Sequence, residues 1–107
     1  NSAIYPCHLQ PTNSTDEPDL LPNYPNPFNL ETTIGFNLSE PDHVRLEIFD
    51  VLGQRVRTLL EERLPPGQYS LNWNGRNDAG KTVSSGVYFY RIEAGAYNAM
   101  KGMVLIK

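Results

Sequence analysis

The 107-residue chain has the length of one ordinary domain, and 39% of its residues are hydrophobic, which is enough for a modest core. Its formal charge of −3 comes without a basic stripe, which excludes the electrostatic footprint of a nucleic-acid-binding protein. Because no apolar run approaches the ~20 residues of a membrane-spanning helix, we expect a soluble monomer that does not insert into a membrane.

Residues 1–20 differ in composition from the rest of the chain. They hold three acidic side chains and no Lys or Arg, and the polar run PTNSTDEPD offers few apolar groups. A segment of this kind cannot bury enough surface to order itself. We predict that residues 1–20 are a flexible linker from an upstream domain and that residues 21–107 form the folded unit. The single cysteine, Cys7, lies in the linker, so the domain is expected to fold without a disulfide.

The folded unit begins close to the sequence NYPNPFN, residues 23–29, which we call the proline stretch. Each proline lacks a backbone N–H and holds the preceding residue out of the helical region, so the stretch cannot lie inside a sheet. We predict a stiff edge segment that Tyr24 and Phe28 anchor to the core.

Apolar and polar residues then alternate along the chain, with the period of half-buried strands. In TTIGFNL the apolar side chains of Ile34, Phe36 and Leu38 share one face. In HVRLEIF the alternation predicts that Arg45 and Glu47 lie outside the core.

The same alternation marks three later segments, LPPGQYSLNW, GVYFYRIEA and AMKGMVLIK. The segment VRTLLEERL is interpreted as a further strand because it is short for a stable helix. With the proline stretch, this makes about seven short strands with a turn signal about every ten residues. The pattern predicts an all-β fold, an immunoglobulin-like antiparallel β-sandwich.

Side chains that could support catalysis or metal binding are few. His8 falls in the linker and His43 in a turn, without an orienting partner in the pattern, and no cluster of Cys and His suggests zinc. The loop NGRNDAG offers the oxygens of Asn74, Asn77 and Asp78, but one carboxylate is few for calcium, and such residues suit turns with positive φ. We predict no enzyme activity, no metal and no cofactor.

The aromatic residues leave a further binding role open, a sugar-stacking platform like those of carbohydrate-binding modules. Trp73 shares its predicted face with Tyr69 and Leu71, which favours a place in the core. Tyr88 and Tyr90 lie in an apolar row whose environment the pattern leaves open.

Four segments, in this order and spacing, resemble the type A C-terminal sorting domain of the type IX secretion system: LPNYPNPFNLETTIGFNL, VRLEIFDVLGQRVRTL, LPPGQYSLNWNGRNDAGKTVSSGVYFYRI and KGMVLIK. The resemblance covers residues 21–107. The residues that match the family's motifs, and to which it implies a role in recognition, are Pro25, Asn26, Pro27, Phe28, Asp50, Gly53, Gly86, Val87, Tyr88, Lys101 and Lys107.

The resemblance implies an immunoglobulin-like tag at the C-terminus of an exported bacterial protein. Its expected partners are proteins: the outer-membrane translocon, which recognises the tag, and a surface transpeptidase, which removes it and joins the parent protein to lipopolysaccharide. The parent would pass through the periplasm to the cell surface or the medium. Gly102 departs from the family, because a second basic residue often follows the position of Lys101.

The segment NGRNDAGKTVSSGVYFYRI also resembles the immunoglobulin-like module of flagellar hook-capping proteins, which is a structural scaffold. The two roles share a fold and differ at its ends, since a sorting domain needs the proline stretch and an apolar, basic terminal strand. Both features are present, which favours the sorting role.

Overall fold

The computed structural model describes residues 5–6 and 19–107, which form two four-stranded sheets with antiparallel neighbours. The strands are β1 (Tyr5–Pro6), β2 (Asp19–Leu20), β3 (Thr32–Leu38), β4 (Asp42–Phe49), β5 (Arg55–Leu64), β6 (Gly67–Trp73), β7 (Gly86–Ala94) and β8 (Tyr97–Leu105). The first sheet has the order β1-β6-β3-β2 and the second the order β5-β4-β7-β8. The prediction of an all-β, immunoglobulin-like sandwich is confirmed. In the described residues, no helix is long and apolar enough to cross a membrane.

The core lies between the sheets and is formed by the side chains that alternation placed on one face of each strand. The buried members on the four central strands are Ile34, Phe36 and Leu38 on β3, Val44, Leu46 and Ile48 on β4, Tyr69, Leu71 and Trp73 on β6, and Tyr88, Tyr90 and Ile92 on β7. The predicted core faces of β3, β4 and β6 are therefore confirmed, and on β7 the row that the pattern left open lies in the core. The segment VRTLLEERL is a strand within β5.

Trp73 joins the two sheets at one end of this core. Its side chain is fully buried, and its ring centroid lies 5.7 Å from that of Phe28 and 5.5 Å from that of Tyr88. The indole Nε1–H donates to the carbonyl oxygen of Arg76 at 2.9 Å, so burial leaves no polar atom of the ring unpaired. The prediction that Trp73 belongs to the core is confirmed.

The sandwich begins earlier than the predicted boundary at residue 21. Asp19–Leu20 pairs with β3, and the Leu20 side chain is buried in the core. The backbone of Tyr5–Pro6 pairs with β6, while the rest of the predicted linker, including Cys7 and His8, lies outside the described residues. The folded unit thus extends at least to Asp19, because pairing with an existing edge strand orders two residues that composition alone does not.

Two side chains differ from their predicted exposure. The side chain of Tyr24 is 79% exposed and does not anchor the proline stretch to the core, whereas that of Phe28 is 1% exposed. Tyr24 is held instead by its backbone, which forms an antiparallel bridge with Thr33. Glu47, predicted to lie outside, is buried, because the side chains of Arg55 and Arg91 cover it with ion pairs of 3.8 and 3.6 Å. A paired carboxylate can be buried where an unpaired one could not.

We expect Trp73→Ala to lower the free energy of unfolding by about 3–5 kcal/mol, because it empties the volume of a large aromatic side chain from the core. Denaturant unfolding measures the change. Val87→Ala, at a position that is 43% exposed, is the control and should stay within about 0.5 kcal/mol of the parent. Equal denaturation midpoints for Trp73→Ala and the parent would contradict the conclusion that the Trp73 ring stabilises the core.

Candidate recognition surface

The proline stretch docks on the terminal strand. The backbone N–H of Phe28 donates to the carbonyl of Val104 at 2.9 Å, and the N–H of Ile106 donates to the carbonyl of Phe28 at 2.8 Å. Phe28 thereby forms a parallel bridge opposite Leu105 on the outer edge of β8, which is the edge strand of its sheet. On the β8 side, Phe28 therefore acts as a short additional strand, while its ring fills the core beside Trp73.

Polar side chains of the stretch complete this docking. The Oδ1 atom of Asn26 accepts a hydrogen bond from the N–H of Val104 at 3.0 Å. The amide of Asn23, which is buried, donates to Oγ1 of Thr32 at 3.0 Å and to the carbonyl of Pro25 at 3.2 Å, and Thr32 donates to the same carbonyl at 2.9 Å. Two asparagine side chains thus supply the hydrogen bonds that a proline-rich backbone cannot make.

Asn23 and Thr32 were not among the predicted recognition residues. Their role depends on a contact between the proline stretch and the first residue of β3. The alternation of apolar and polar residues does not predict this contact. The only signal in the sequence is an asparagine before each Pro-containing pair, since an asparagine side chain bonds readily to nearby backbone.

The block Gly86, Val87 and Tyr88 lies beside the same part of the terminal strand. These residues pair with the last residues of β8 in the order Leu105, Val104 and Met103. Tyr88 is buried and donates its hydroxyl to the carbonyl of Ser84 at 2.7 Å, whereas the side chain of Val87 lies on the outer face. The structure therefore brings together the predicted residues of the proline stretch, the Gly86–Tyr88 block and the terminal strand.

Asp50 and Gly53 lie elsewhere, in the turn between β4 and β5. The Oδ1 atom of Asp50 accepts the N–H groups of Leu52 and Gln54, both at 2.9 Å, and Gly53 adopts a φ of 82°. Because this turn joins β4 to β5 and the proline stretch lies on the outer edge of β8, the strands β7 and β8 separate the two. Its residues stabilise a tight turn that leaves the side chains of Val51 and Leu52 exposed.

The loop that contains Asn77 and Asp78 repeats this turn. Oδ1 of Asn77 accepts the N–H groups of Ala79 and Lys81, both at 3.0 Å. The Asp78 carboxylate is held against β5, where Oδ1 accepts the N–H of Thr58 at 3.1 Å and Oδ2 lies 3.7 Å from Nε of Arg55. In the described residues, no group of three or more His, Cys, Asp and Glu side chains could hold a metal ion.

Charges on the outer face of the second sheet form a continuous ladder of ion pairs 3.2–3.8 Å long. In order of contact its members are Asp78, Arg55, Glu47, Arg91, Glu93, Arg45 and Glu61. The guanidinium of Arg91 also lies 5.1 Å from the ring centroid of Phe49. The charged groups of the ladder pair with one another, and the exposed pairs contribute little to the stability of the fold.

Lys101 and Lys107 stand apart from this ladder. Both residues are exposed, and within the described part of the chain no lysine takes part in an ion pair. Lys101 lies on β8 opposite Tyr90, and the backbone N–H of Lys107 donates to Oγ of Ser85 at 3.1 Å. Exposed positive charge on and beside the terminal strand is therefore available for a partner, as is that of Lys81 in the loop before β7.

Beyond the ladder, the part of the outer face of β7 and β8 around Val87 and Val104 is apolar. Val87, Met100 and Ile106 are between 43% and 56% exposed, and Val104 pairs with Val87. Gly102 adds no side chain to this face, and a Cβ atom there would lie 3.4 Å from the ring of Phe89. The candidate recognition surface is this apolar face together with the outer edge of β8 and its lysines, and we call it the β8 surface.

The fold and this arrangement define an immunoglobulin-like module. A family model described as the FlgD Ig-like domain matches residues 26–98, which is more than half of the chain, and the chain belongs to this family. A search of curated proteins finds no significant match.

Two solved structures share the fold. Dimeric latent PorU from Porphyromonas gingivalis is 20% identical with a TM-score of 0.68, and the alignment covers 88% of this chain and 10% of PorU. PorZ, an essential bacterial surface component of the type-IX secretion system of the same organism, is 22% identical with a TM-score of 0.54, and the alignment covers 82% of this chain and 11% of PorZ. The chain thus spans about a tenth of the length of these proteins.

We expect Asn26→Ala to speed amide hydrogen exchange at Val104 and to lower the free energy of unfolding by about 0.5–1.5 kcal/mol, because the variant removes the acceptor for that N–H. NMR-detected exchange and denaturant unfolding measure the two effects. Asn29→Ala is the control, since Asn29 is exposed and its side chain makes no hydrogen bond to the described residues. Unchanged exchange at Val104 in Asn26→Ala would show that the side chain does not hold the terminal strand.

Proposed function

We propose that this module is a C-terminal sorting domain, a folded tag by which the type IX outer-membrane translocon recognises an exported parent protein and directs it to the cell surface or the medium. The observation that carries the proposal is the meeting of three predicted motifs, the proline stretch, the Gly86–Tyr88 block and the terminal strand, at one edge of the second sheet. The likeness in fold to PorZ, a component of such a system, supports it.

A sorting tag must fold without help and must present something that another protein can bind. The core formed by the described residues contains no cysteine. The β8 surface combines an edge strand, exposed apolar side chains and lysines without ionic partners in the described residues, which are features of protein interfaces. These features fit a binding role better than a catalytic one, and we propose that the module is not an enzyme.

Two further steps belong to the proposal because the family resemblance implies them. A surface transpeptidase would remove the module after export and join the parent protein to lipopolysaccharide. The parent would then stay at the cell surface rather than enter the medium.

The scaffold role is the second candidate, and the family match favours it. That match, however, ends at residue 98, so the segment KGMVLIK, which distinguishes the two roles, lies beyond it. The carbohydrate-binding role is disfavoured by burial, since four of the five rings that would form a platform lie in the core and Phe89 is half-buried. The four buried rings are Tyr69, Trp73, Tyr88 and Tyr90.

The experiment is a fusion of residues 1–107 behind a periplasmic reporter in a bacterium with a functional type IX system. We expect the reporter at the cell surface or in the medium, because the module supplies the recognised surface. Deletion of KGMVLIK should retain it in the periplasm, but the deletion also removes the buried side chains of Met103 and Leu105.

The matched variant is therefore Lys101→Ser with Lys107→Ser, which removes exposed charge and leaves the core intact. We expect it to export less reporter at an unchanged melting temperature. If the unmodified fusion stays in the periplasm while the host exports its own cargo, the sorting role is refuted.

A further inference from the structure

The outer edge of β8 is occupied along only part of its length. The outward N–H and C=O of Val104 and the outward N–H of Ile106 are bonded to Asn26 and Phe28. Because outward-facing backbone groups recur at every second residue of an edge strand, the same edge continues at Gly102, Met100 and Asn98. In the described residues, no backbone hydrogen bond reaches the outward groups of these three. Asp19–Leu20 of β2 lies close to β8 but makes no backbone hydrogen bond to it. The open edge is therefore the part of β8 whose outward backbone groups have no backbone partner in the described residues, and it starts where the proline stretch stops.

The proline stretch shows how this edge can be filled. Phe28 is bonded to β8 through backbone atoms and in a parallel direction, as a strand added to the sheet would be. A partner segment that continued this pairing would lie beside Met100 and Gly102, next to the exposed apolar face. Alternate side chains of that segment would meet Met100 on this face and Lys101 on the other.

The positive charge of Lys101 favours a partner segment with acidic side chains. Lys101 lies within the open part of the edge and has no ionic partner in the described residues. The nearest acidic residue of β7, Glu93, is already paired with Arg45 and Arg91 at 3.8 and 3.2 Å. Asp19 on the neighbouring β2 makes no ion pair with Lys101 either. A carboxylate from a partner would thus meet a lysine that has no ionic partner in the described residues, whereas a second copy of this strand would bring a second lysine. Lysine on an edge strand is a common device against self-pairing.

We propose that the open edge of β8, from Asn98 to Gly102, accepts an extended segment of the recognising protein, which adds to the sheet as a strand and carries acidic side chains toward Lys101. The backbone hydrogen bonds supply affinity, and the apolar face and the lysine supply selectivity. This inference rests on the proposed sorting function for the identity of the partner and specifies how the partner binds.

The test compares Met100→Pro with Met100→Val in the reporter fusion. Proline removes the outward N–H of residue 100, which makes no bond to β7, and valine keeps it. We expect Met100→Pro to export about tenfold less reporter than the unmodified fusion, which corresponds to 1.4 kcal/mol of binding, while Met100→Val stays within about twofold. Both purified variants should keep the melting temperature of the parent.

A second measurement leaves the backbone unchanged, so that it holds even if proline disturbs the fold. A photo-crosslinking amino acid replaces Met100 on β8 or, as a control, Arg63 on β5, the opposite edge of the sheet. We expect a crosslink from position 100 only, mapped by mass spectrometry to an extended segment of a translocon protein that contains Asp or Glu.

Four outcomes overturn the inference while the unmodified fusion is exported: equal export of the proline and valine variants at equal stability, a crosslink only from position 63, a crosslink to a segment without acidic residues, or a crosslink to a second copy of the chain. Failure of the unmodified fusion to be exported refutes the sorting function instead, so the two failures are distinguishable.

Discussion

The structure depends on the backbone pairing of Phe28 with the terminal strand. Two hydrogen bonds of 2.9 and 2.8 Å fix this residue on the outer edge of β8, and its ring enters the core beside Trp73. The same residue therefore closes part of a sheet edge and fills volume between the sheets. Because Trp73 also contacts Tyr88, the proline stretch, the end of the first sheet and the start of β7 are packed as one unit. The outer edge of β8, which could otherwise pair with strands of other chains, is thereby partly covered, and its open part is confined to the segment from Asn98 to Gly102.

The second sheet divides its outer face between two kinds of chemistry. Toward β5 the ladder of ion pairs neutralises its own charges and includes the buried carboxylate of Glu47. Toward β8 the face is apolar, and the lysines beside it have no ionic partner in the described residues. The charges of the ladder are thus paired within the chain, whereas the apolar side chains and lysines at β8 have no such partners in the described residues. The fold alone does not require this asymmetry, since immunoglobulin-like sandwiches serve many unrelated functions.

The faces of the strands could be predicted from the sequence because alternation with period two depends only on neighbouring residues. Ile34, Phe36 and Leu38 needed no knowledge of their partners in the core. The exposure of Tyr24, the burial of Glu47 and the network of Asn23 with Thr32 could not be predicted in this way, because each depends on which distant residues pack beside it. The hydrogen bond from Phe28 to Val104 joins residues far apart in sequence. Nothing in the sequence around either residue indicates that the other is its partner. The motif residues were identified by resemblance, and the structure separates them into two groups, one at β8 and one at the β4–β5 turn.

The most direct test of this account is native-state amide hydrogen exchange at Phe28 and Ile106, whose N–H groups donate to the two hydrogen bonds of the pairing. If the proline stretch and the terminal strand form one unit, a single opening breaks both bonds, and the two amides exchange with the same free energy of opening. Exchange of Ile106 at the rate of an unstructured chain, while the Leu105 amide on the inner side of the strand stays protected, would contradict the account.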